Sequence, residues 1–261
     1  MKKLSIILLF SLAVLPQIVL AKTLIFIQGY EEDGSEWRTH GVTAPLVAVG
    51  WSDGGHLIDN GFNIVMPLQM DGADHFYTVT LPTEAPLMFQ LQQFARYVEA
   101  IRLRDPLEPL ILVGHSAGGV LARLYMVQYP HIPVAGVVTI ASPHRGTDLS
   151  DIGLLAGQTP LSWGLPFIGA DSINRSQGLF YDLRREEPGN FLFQLNRDIH
   201  PVSRYLSVIH QDWVVAPESQ DMRFVAALMN TGMVETMYSI GDHDLNPNDG
   251  LILADFLTTV Q

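Results

Sequence analysis

The segment 114–119, with the sequence GHSAGG, constrains the fold of this 261-residue chain more than any other segment. It follows the short apolar run 110–113 and precedes a stretch, 118–129, with apolar residues at helical spacing. Serine between glycines at this point predicts a tight strand-to-helix turn, in which larger neighbours would clash with the backbone. The hydroxyl would stand clear of the turn at a helix N-terminus, which favours a developing negative charge. We therefore predict that Ser116 is a catalytic nucleophile.

Apolar, β-branched runs alternate with helical patterns along much of the chain. Such alternation is typical of a mostly parallel, doubly wound α/β sheet with helices on both faces. Ligands bind beyond the carboxyl ends of the strands in these sheets, so we expect the reactive residues to follow strands. The predicted strands are 23–27, 76–81, 110–113, 134–141 and 205–209, and the predicted helices are 41–50, one that starts at Pro86, 118–129, and a terminal helix capped by Asp249.

Three segments together resemble the α/β-hydrolase superfamily, and in particular its bacterial lipase and esterase branch. They are the GHSAGG turn, the loop Gln28-Gly29-Tyr30 after the first strand, and the sequence ASPHRGT at 141–147 after a later strand. The last is similar to the SPHxG element of many lipases. The resemblance covers most of residues 22–261. It implies the α/β-hydrolase fold, catalytic residues in the order Ser, Asp or Glu, His, and no cofactor.

The order of catalytic residues in this family implies His243 as the general base and Asp212 as the acid that orients it. His243 lies shortly before the terminal helix, and Asp212 follows the last predicted strand. Asp221, Glu218 and Asp242 remain alternatives for the acid, because a single aspartate is more often a turn or cap residue.

Two backbone N–H groups are needed to bind the oxyanion of a tetrahedral intermediate. The resemblance places them at Ala117, directly after the nucleophile, and at Tyr30, in the loop after the first strand. Gln28 stands where the family commonly has histidine, so the resemblance does not say which hydrogen bonds support this loop. The alternative for Gly29 is a simple turn at the end of a strand.

Other polar residues near these segments have a structural interpretation. We expect His115 to point away from the substrate and His144 to be a hydrogen-bonded structural histidine. The acidic run 31–33 is predicted to be solvated, although it would discourage anionic substrates. Residues 244–250 favour a turn and helix cap over a calcium loop, because the glycine falls one position late for an EF-hand. Some related bacterial lipases bind calcium near the histidine that corresponds to His243, but we predict no metal site in this chain.

The first 21 residues predict a secretory signal peptide. Lys2 and Lys3 precede the apolar run Leu4–Leu15, Pro16 ends that run, and residues 19–21 offer a cleavage site. An uncleaved anchor is the alternative, although the apolar run is short for a spanning helix. The mature protein would be exported, either periplasmic or secreted. The chain has 0 cysteines, so it would contain no disulfide and no lipid-anchored cysteine.

The mature chain would form one hydrolase domain, residues 22–261, with a cap or lid insertion at about 147–204. Within the insertion, residues 152–170 carry no charge. A long insertion in a compact domain is often functional, which favours a lid over the active site. Packing of the segment against the core is an equal and compatible alternative.

Without the first 21 residues, 13 basic and 27 acidic residues remain, a net charge of −14. This charge repels nucleic acid and anionic membranes and favours neutral or zwitterionic substrates. We predict a lipase or carboxylesterase that hydrolyses a small-molecule or lipid ester and contacts lipid interfaces only transiently. The alternatives are an acyltransferase or thioesterase with the same catalytic residues, or a non-catalytic binding protein of this fold. The oligomeric state is not predicted.

Overall fold

An eight-stranded sheet organises the computed structural model, which describes residues 21–67, 74–104, 106–151 and 171–260. The strands are β1 (Thr23–Ile27), β2 (Ser52–Asp59), β3 (Ile64–Val65), β4 (His75–Val79), β5 (Leu110–His115), β6 (Val134–Ile140), β7 (Arg204–Ile209) and β8 (Val234–Tyr238). Their order across the sheet is β3-β2-β4-β1-β5-β6-β7-β8. β3 is antiparallel to β2, and every other neighbouring pair is parallel.

Helices connect the parallel strands. They are α1 (Glu36–Thr39), α2 (Thr43–Ala48), α3 (Leu87–Arg104), α4 (Ala117–Gln128), α5 (Asp171–Arg175), α6 (Gln177–Leu183), α7 (Phe191–Leu195), α8 (Pro217–Gln220) and α9 (Pro247–Thr259), with a 3-10 turn at Met222–Phe224. Among the described residues, no helix is both long and apolar enough to cross a bilayer.

Alternate residues of β1 enter two separate cores, one on each face of the sheet. Ile25 and Ile27 belong to the core formed with α3 and α4. Leu24 and Phe26 belong to the core formed with α2 and α9. Successive side chains of a strand point to opposite faces, so a strand apolar at every position is covered on both sides. The predicted doubly wound α/β fold is confirmed.

The outer strands β2 and β8 were not predicted. β2 contains Gly54 and Gly55 and an irregular register between Asp53 and His56, so its residues do not alternate between apolar and polar. β8 is half-exposed along its length and carries Glu235 and Thr236. Both strands lack the buried apolar run by which the central strands are recognised.

The predicted cap of the terminal helix was displaced by one turn. Asn246, not Asp249, is the N-cap residue of α9, and its side chain accepts a hydrogen bond from the N–H of Asn248. Asp249 occupies the third helical position and accepts from the backbone N–H of Asn246 at 2.9 Å. The two residues form a capping box. The sequence therefore correctly indicated a cap at this helix, but the N-cap residue is Asn246 rather than Asp249.

The segment between β6 and β7 holds α5, α6 and α7 in its described part. Its uncharged residues 152–170 lie outside the described residues, as does nearly all of the predicted signal peptide. The cap or lid and the domain boundaries stay predictions.

A buried arginine of α4 is hydrogen-bonded to side chains of this segment. Arg123 is fully buried, and its guanidinium donates to Nδ1 of His144 at 3.0 Å and to Oδ1 of Asn196 at 2.8 Å. It also donates to Nε2 of His200 at 3.1 Å. Since arginine has no acceptor, both imidazole nitrogens facing it must be unprotonated. The structural role predicted for His144 is therefore confirmed.

Burial and the positive charge of Arg123 keep His144 and His200 neutral. Burial, reinforced by the Arg123 guanidinium, lowers the pKa of His144 well below its ordinary value. The same two causes lower the pKa of His200 to about 3. Burial also lowers the pKa of Arg123 to about 10, so the guanidinium remains charged at neutral pH.

These neutral imidazoles predict a loss of stability in mild acid. Below the ordinary histidine pKa of 6.5, the unfolded chain binds protons that the folded chain excludes at His144 and His200. The free energy of unfolding should then fall with decreasing pH, by about 1.4 kcal/mol per pH unit for each histidine. The His200→Gln variant keeps an acceptor for Arg123 and removes one of these slopes. Urea unfolding between pH 6 and pH 4.5 measures the difference from the parent.

The matched control is His131→Gln, which replaces an exposed loop histidine. Comparing the pH dependence of unfolding in the two variants separates the contribution of His200 from that of carboxyl groups that titrate in the same range. One such group is Asp182, whose pKa is raised to about 6 by burial. Equal pH dependence in the His200→Gln and His131→Gln variants would contradict the prediction.

Candidate active site

The turn between β5 and α4 places Ser116 in a strained backbone conformation. Its φ and ψ angles are 48° and −123°, in a region that residues with a side chain rarely adopt. The turn is held by the N–H of Ser116, which donates to the carbonyl of Ile140 at 2.9 Å. Strain of this kind persists where the surrounding structure fixes it, and it is frequent at active sites.

The two flanking glycines are required by close backbone packing. A Cβ atom on Gly114 would lie 2.4 Å from the carbonyl group of Gly118. A Cβ atom on Gly118 would lie 2.4 Å from the carbonyl oxygen of Ile27, at the end of β1. The steric reason for the glycine spacing was predicted from the sequence, and the structure agrees with it. The beginning of α4 therefore contacts the end of β1.

Three residues distant in sequence meet at this turn. Nε2 of His243 lies 3.0 Å from Oγ of Ser116. Nδ1 of the same ring lies 3.2 Å from Oδ2 of Asp212. His243 comes from the loop between β8 and α9, and Asp212 from the loop after β7. This is the geometry of a nucleophile, a base and an orienting acid.

The carboxylate of Asp212 is completely buried and well supplied with donors. Oδ1 accepts from the N–H groups of Val214 at 2.8 Å and Val215 at 2.6 Å, and Oδ2 accepts from the amide of Gln220 at 3.0 Å. Burial raises the pKa of Asp212, but the His243 contact and the backbone N–H groups outweigh it, so the pKa lies below its ordinary value. The acid is ionised at neutral pH and can stabilise an imidazolium.

The alternative acids do not contact the His243 ring. Asp221 is paired with Arg223 at 2.6 Å and caps the 3-10 turn. Glu218 lies in the first turn of α8. Asp242 precedes the histidine, and its backbone carbonyl accepts from His210. Of the four candidates, Asp212 is the one within contact distance of the His243 ring.

A cavity of about 630 Å³ opens over Ser116. Ala117, Tyr30 and His243 line it beside the serine. Most of its wall is apolar and comes from the segment after β6 and the loop after β7. The described residues of this wall are Pro143, Thr147, Leu149, Ser150, Ser172, Ile173, Leu179, Phe180, Leu183, Val214 and Val215.

Ala117 and Tyr30, the predicted donors for an oxyanion, both face this cavity. Ala117 is the first residue of α4, where a backbone N–H has no acceptor within the helix. The Tyr30 ring packs edge-on against Phe180, with centroids 5.4 Å apart, and its hydroxyl accepts from Ser176 at 3.1 Å. The loop after β1 is therefore in contact with α6.

The side chain of Gln28 makes the hydrogen bonds that support the loop after β1. When its amide is oriented to satisfy both of its polar atoms, it donates to the carbonyl of Val79 at 3.0 Å. It also accepts from the N–H of Leu81 at 2.7 Å. Gln28 thus joins the loop after β1 to the chain leaving β4, in the position where the family commonly has histidine.

Comparison with known proteins identifies the fold. A family model for the alpha/beta hydrolase fold matches residues 69–190. The chain has the α/β-hydrolase fold. A protein of Listeria innocua, the product of gene lin2722, superposes with a TM-score of 0.61 at 15% identity, over 92% of this chain and 95% of that one. None of the curated proteins searched matches the sequence.

Two other solved structures of this hydrolase fold have named activities. The mature lipase BlEst2 of Bacillus licheniformis superposes with a TM-score of 0.58 at 14% identity, over 95% of each chain. A highly thermostable carboxyl esterase of Bacillus coagulans, solved with glycerol, gives a TM-score of 0.58 at 14% identity, over 94% of this chain and 92% of that one. At these identities the likeness shows the fold alone.

One sequence expectation about this hydrolase fold was wrong. Glu32, in the acidic run 31–33, is not solvated: its side chain is 16% exposed and lies 2.7 Å from Nδ1 of His115. Burial raises the pKa of Glu32, but His115 and the N–H of Gly29 outweigh it, so the pKa lies below its usual range. No local pattern distinguishes Glu32 from its acidic neighbours, because its partner lies far away in sequence.

A second buried pair was also missed. Nε2 of His210 lies 2.8 Å from Oδ1 of Asp249, and both side chains are fully buried. The sequence predicted a cap role for Asp249 but not this second partner. Among the described residues, no group of three or more histidine and carboxylate side chains is arranged to hold a metal ion.

Proposed function

We propose that this protein is a serine ester hydrolase that cleaves carboxylic esters of hydrophobic acids. The observation that carries the proposal is the hydrogen-bonded series Ser116, His243, Asp212 at 3.0 and 3.2 Å, beneath an open cavity. Named lipases and esterases among the solved structures of this fold support the same reaction class. Since one fold hosts many functions, the proposal depends on the site rather than on the fold.

The reaction follows from the positions of these groups. His243 removes the proton of the Ser116 hydroxyl as Oγ attacks the ester carbonyl, and Asp212 stabilises the imidazolium that forms. The N–H groups of Ala117 and Tyr30 bind the oxyanion of the tetrahedral intermediate. His243 then gives the proton to the departing alcohol. Water, activated by the same imidazole, hydrolyses the acyl-enzyme.

The cavity wall indicates the substrate class. Leu149, Ile173, Leu179, Phe180 and Leu183 provide an apolar surface for an acyl chain. The same cavity is bordered by Glu31, whose carboxylate would repel an anionic substrate. We therefore infer an uncharged ester with a hydrophobic acyl group.

Export is part of the same proposal. The positively charged start, the apolar run Leu4–Leu15 and the small residue Ala21 are typical of a secretory signal peptide. Cell fractionation of the expressed full chain is expected to give a product shortened by about 21 residues outside the cytoplasm, in periplasm or medium. A full-length product retained in the cytoplasm would refute export without bearing on the catalytic proposal.

Substitution of the nucleophile and the acid tests the reaction. Ser116→Ala is expected to abolish hydrolysis of p-nitrophenyl butyrate, and Asp212→Asn to lower kcat by about 10⁴-fold because it can no longer orient and stabilise the imidazolium. Ser35→Ala, at an exposed serine, is the control. Activity that survives in Ser116→Ala would show that the nucleophile is wrong. Product formation that requires an added alcohol acceptor would favour an acyltransferase.

Narrowing the cavity tests the substrate class. Ile173→Trp places a large ring in the apolar wall, so esters with long acyl chains should lose more kcat/KM than short ones. A pocket discriminates by about 1–3 kcal/mol per methylene, so the ratio between octanoate and acetate esters is expected to fall at least 10-fold. Steady-state kinetics with a series of p-nitrophenyl esters measures this ratio. An unchanged ratio would place the acyl chain elsewhere.

A further inference from the structure

The backbone of the loop that carries His243 is held at two consecutive carbonyl groups. The carbonyl of Asp242 accepts from Nδ1 of His210 at 2.6 Å. The carbonyl of His243 itself accepts from Nε2 of His115 at 2.8 Å. Both donor rings are fully buried and come from different strands, His115 from the end of β5 and His210 from just after β7.

Each of these imidazoles has a carboxylate at its other nitrogen. Nδ1 of His115 lies 2.7 Å from Oε1 of Glu32, and Nε2 of His210 lies 2.8 Å from Oδ1 of Asp249. A neutral imidazole has one N–H, and these rings face oxygen acceptors on both sides. The Glu32–His115 contact is an ion pair rather than an aligned hydrogen bond, since Nδ1 of His115 has no partner with hydrogen-bond geometry. Burial lowers the pKa of His115, but Glu32 reverses this and the pKa lies above its ordinary value.

The two carboxylates also hold their own loops. Oε2 of Glu32 accepts from the N–H of Gly29 at 2.7 Å, in the loop that presents Tyr30 to the cavity. Oδ2 of Asp249 accepts from the N–H of Asn246 at 2.9 Å, at the beginning of α9. The Glu32–His115 pair thus connects the loop after β1 to the backbone of His243.

We propose that Glu32–His115 and Asp249–His210 are positioning pairs that fix the backbone of His243 so that Nε2 stays within reach of Oγ of Ser116. The proposal depends on the function proposed above, because it assigns a purpose to these pairs in that reaction. The His243 side chain is 18% exposed, and Asp212 contacts only its Nδ1 side. The orientation of the ring therefore depends on where its backbone is held. The effect is expected in kcat, since a small misplacement of a base costs rate more than binding.

Kinetics of the Glu32→Gln variant provide the first test. Glutamine keeps the size of the side chain and an acceptor for Gly29, but it cannot neutralise an imidazolium at His115. We expect kcat for p-nitrophenyl butyrate to fall on the order of 10-fold, with KM within about twofold of the parent. Asp33→Asn, in the same loop but exposed, removes the same charge and should leave kcat unchanged. Equal kcat in the two variants would overturn the proposal.

A second variant addresses the other pair. Asp249→Asn keeps an acceptor for the N–H of Asn246, so the capping box can persist, while the negative charge beside His210 is lost. We expect a similar fall in kcat, and a larger fall when it is combined with Glu32→Gln, since each pair holds a different carbonyl. Thermal unfolding of every variant is recorded at the assay pH. A kcat loss seen only where the variant is partly unfolded at the assay temperature would assign the pairs a purely structural role.

Nitrogen NMR of ¹⁵N-histidine-labelled protein tests the arrangement without activity. In the Ser116→Ala background, both ring nitrogens of His115 should be protonated at neutral pH. Adding Glu32→Gln should convert His115 to a neutral tautomer and shift the ring resonances of His243. A neutral His115 beside Glu32, or unchanged His243 signals in the double variant, would overturn the proposal. If the parent hydrolyses no ester, the proposed function fails, and these spectra still decide whether the pairs position His243.

Discussion

The contact between Gly118 and the end of β1 is the constraint on which the rest of the site depends. The carbonyl oxygen of Ile27 occupies the place that a Cβ atom on Gly118 would require, at 2.4 Å. This approach brings the first turn of α4 against the loop that begins at Gln28. Ser116, the first N–H of α4 and the Tyr30 loop can line one cavity because the two backbones meet there without an intervening side chain. The strained backbone of Ser116 is accommodated by the same packing.

Histidine has three distinct electrostatic roles in this protein, each set by its partners. His144 and His200 accept from the buried Arg123 and stay neutral, because a second cation beside the guanidinium would be strongly unfavourable. His115 and His210 each face a carboxylate on one side and a backbone carbonyl on the other, and for His115 burial lowers the pKa but Glu32 raises it above its ordinary value. His243 lies between an acid and a hydroxyl, the arrangement in which a ring can gain and lose a proton.

The sequence predicted the parts of the fold that are determined locally. The apolar runs of β1, β5, β6 and β7 were recognised because each strand is buried on both faces, and the glycines of GHSAGG because sterics alone require them. The placement of His243 and Asp212 came from the family's order of residues rather than from local pattern. That order could not be checked until the structure showed the two side chains in contact.

What the sequence could not predict shares one physical cause. The partners of Glu32 and Asp249 lie 83 and 39 residues away, and only the folding of the chain into the sheet brings them together. Glu31 and Asp33, on either side of Glu32, are also acidic but are exposed, so residue type alone does not identify Glu32. The outer strands β2 and β8 were missed for a related reason, since partial exposure removes the apolar run that marks a buried strand.

The loop that carries His243 shows what such long-range pairs do beside the Ser116–His243 contact. Of the two apolar side chains in the loop between β8 and α9, Ile240 is exposed and Leu245 is buried, so apolar packing secures the loop beside α9 and leaves more freedom around His243. Two hydrogen bonds from buried rings to consecutive carbonyls remove that freedom without occupying the imidazole edge that faces Ser116. Burying two ion pairs is costly, and a buried pair often contributes little net stability. In the proposed reaction, these pairs serve to fix the position of His243 rather than to add stability to the fold.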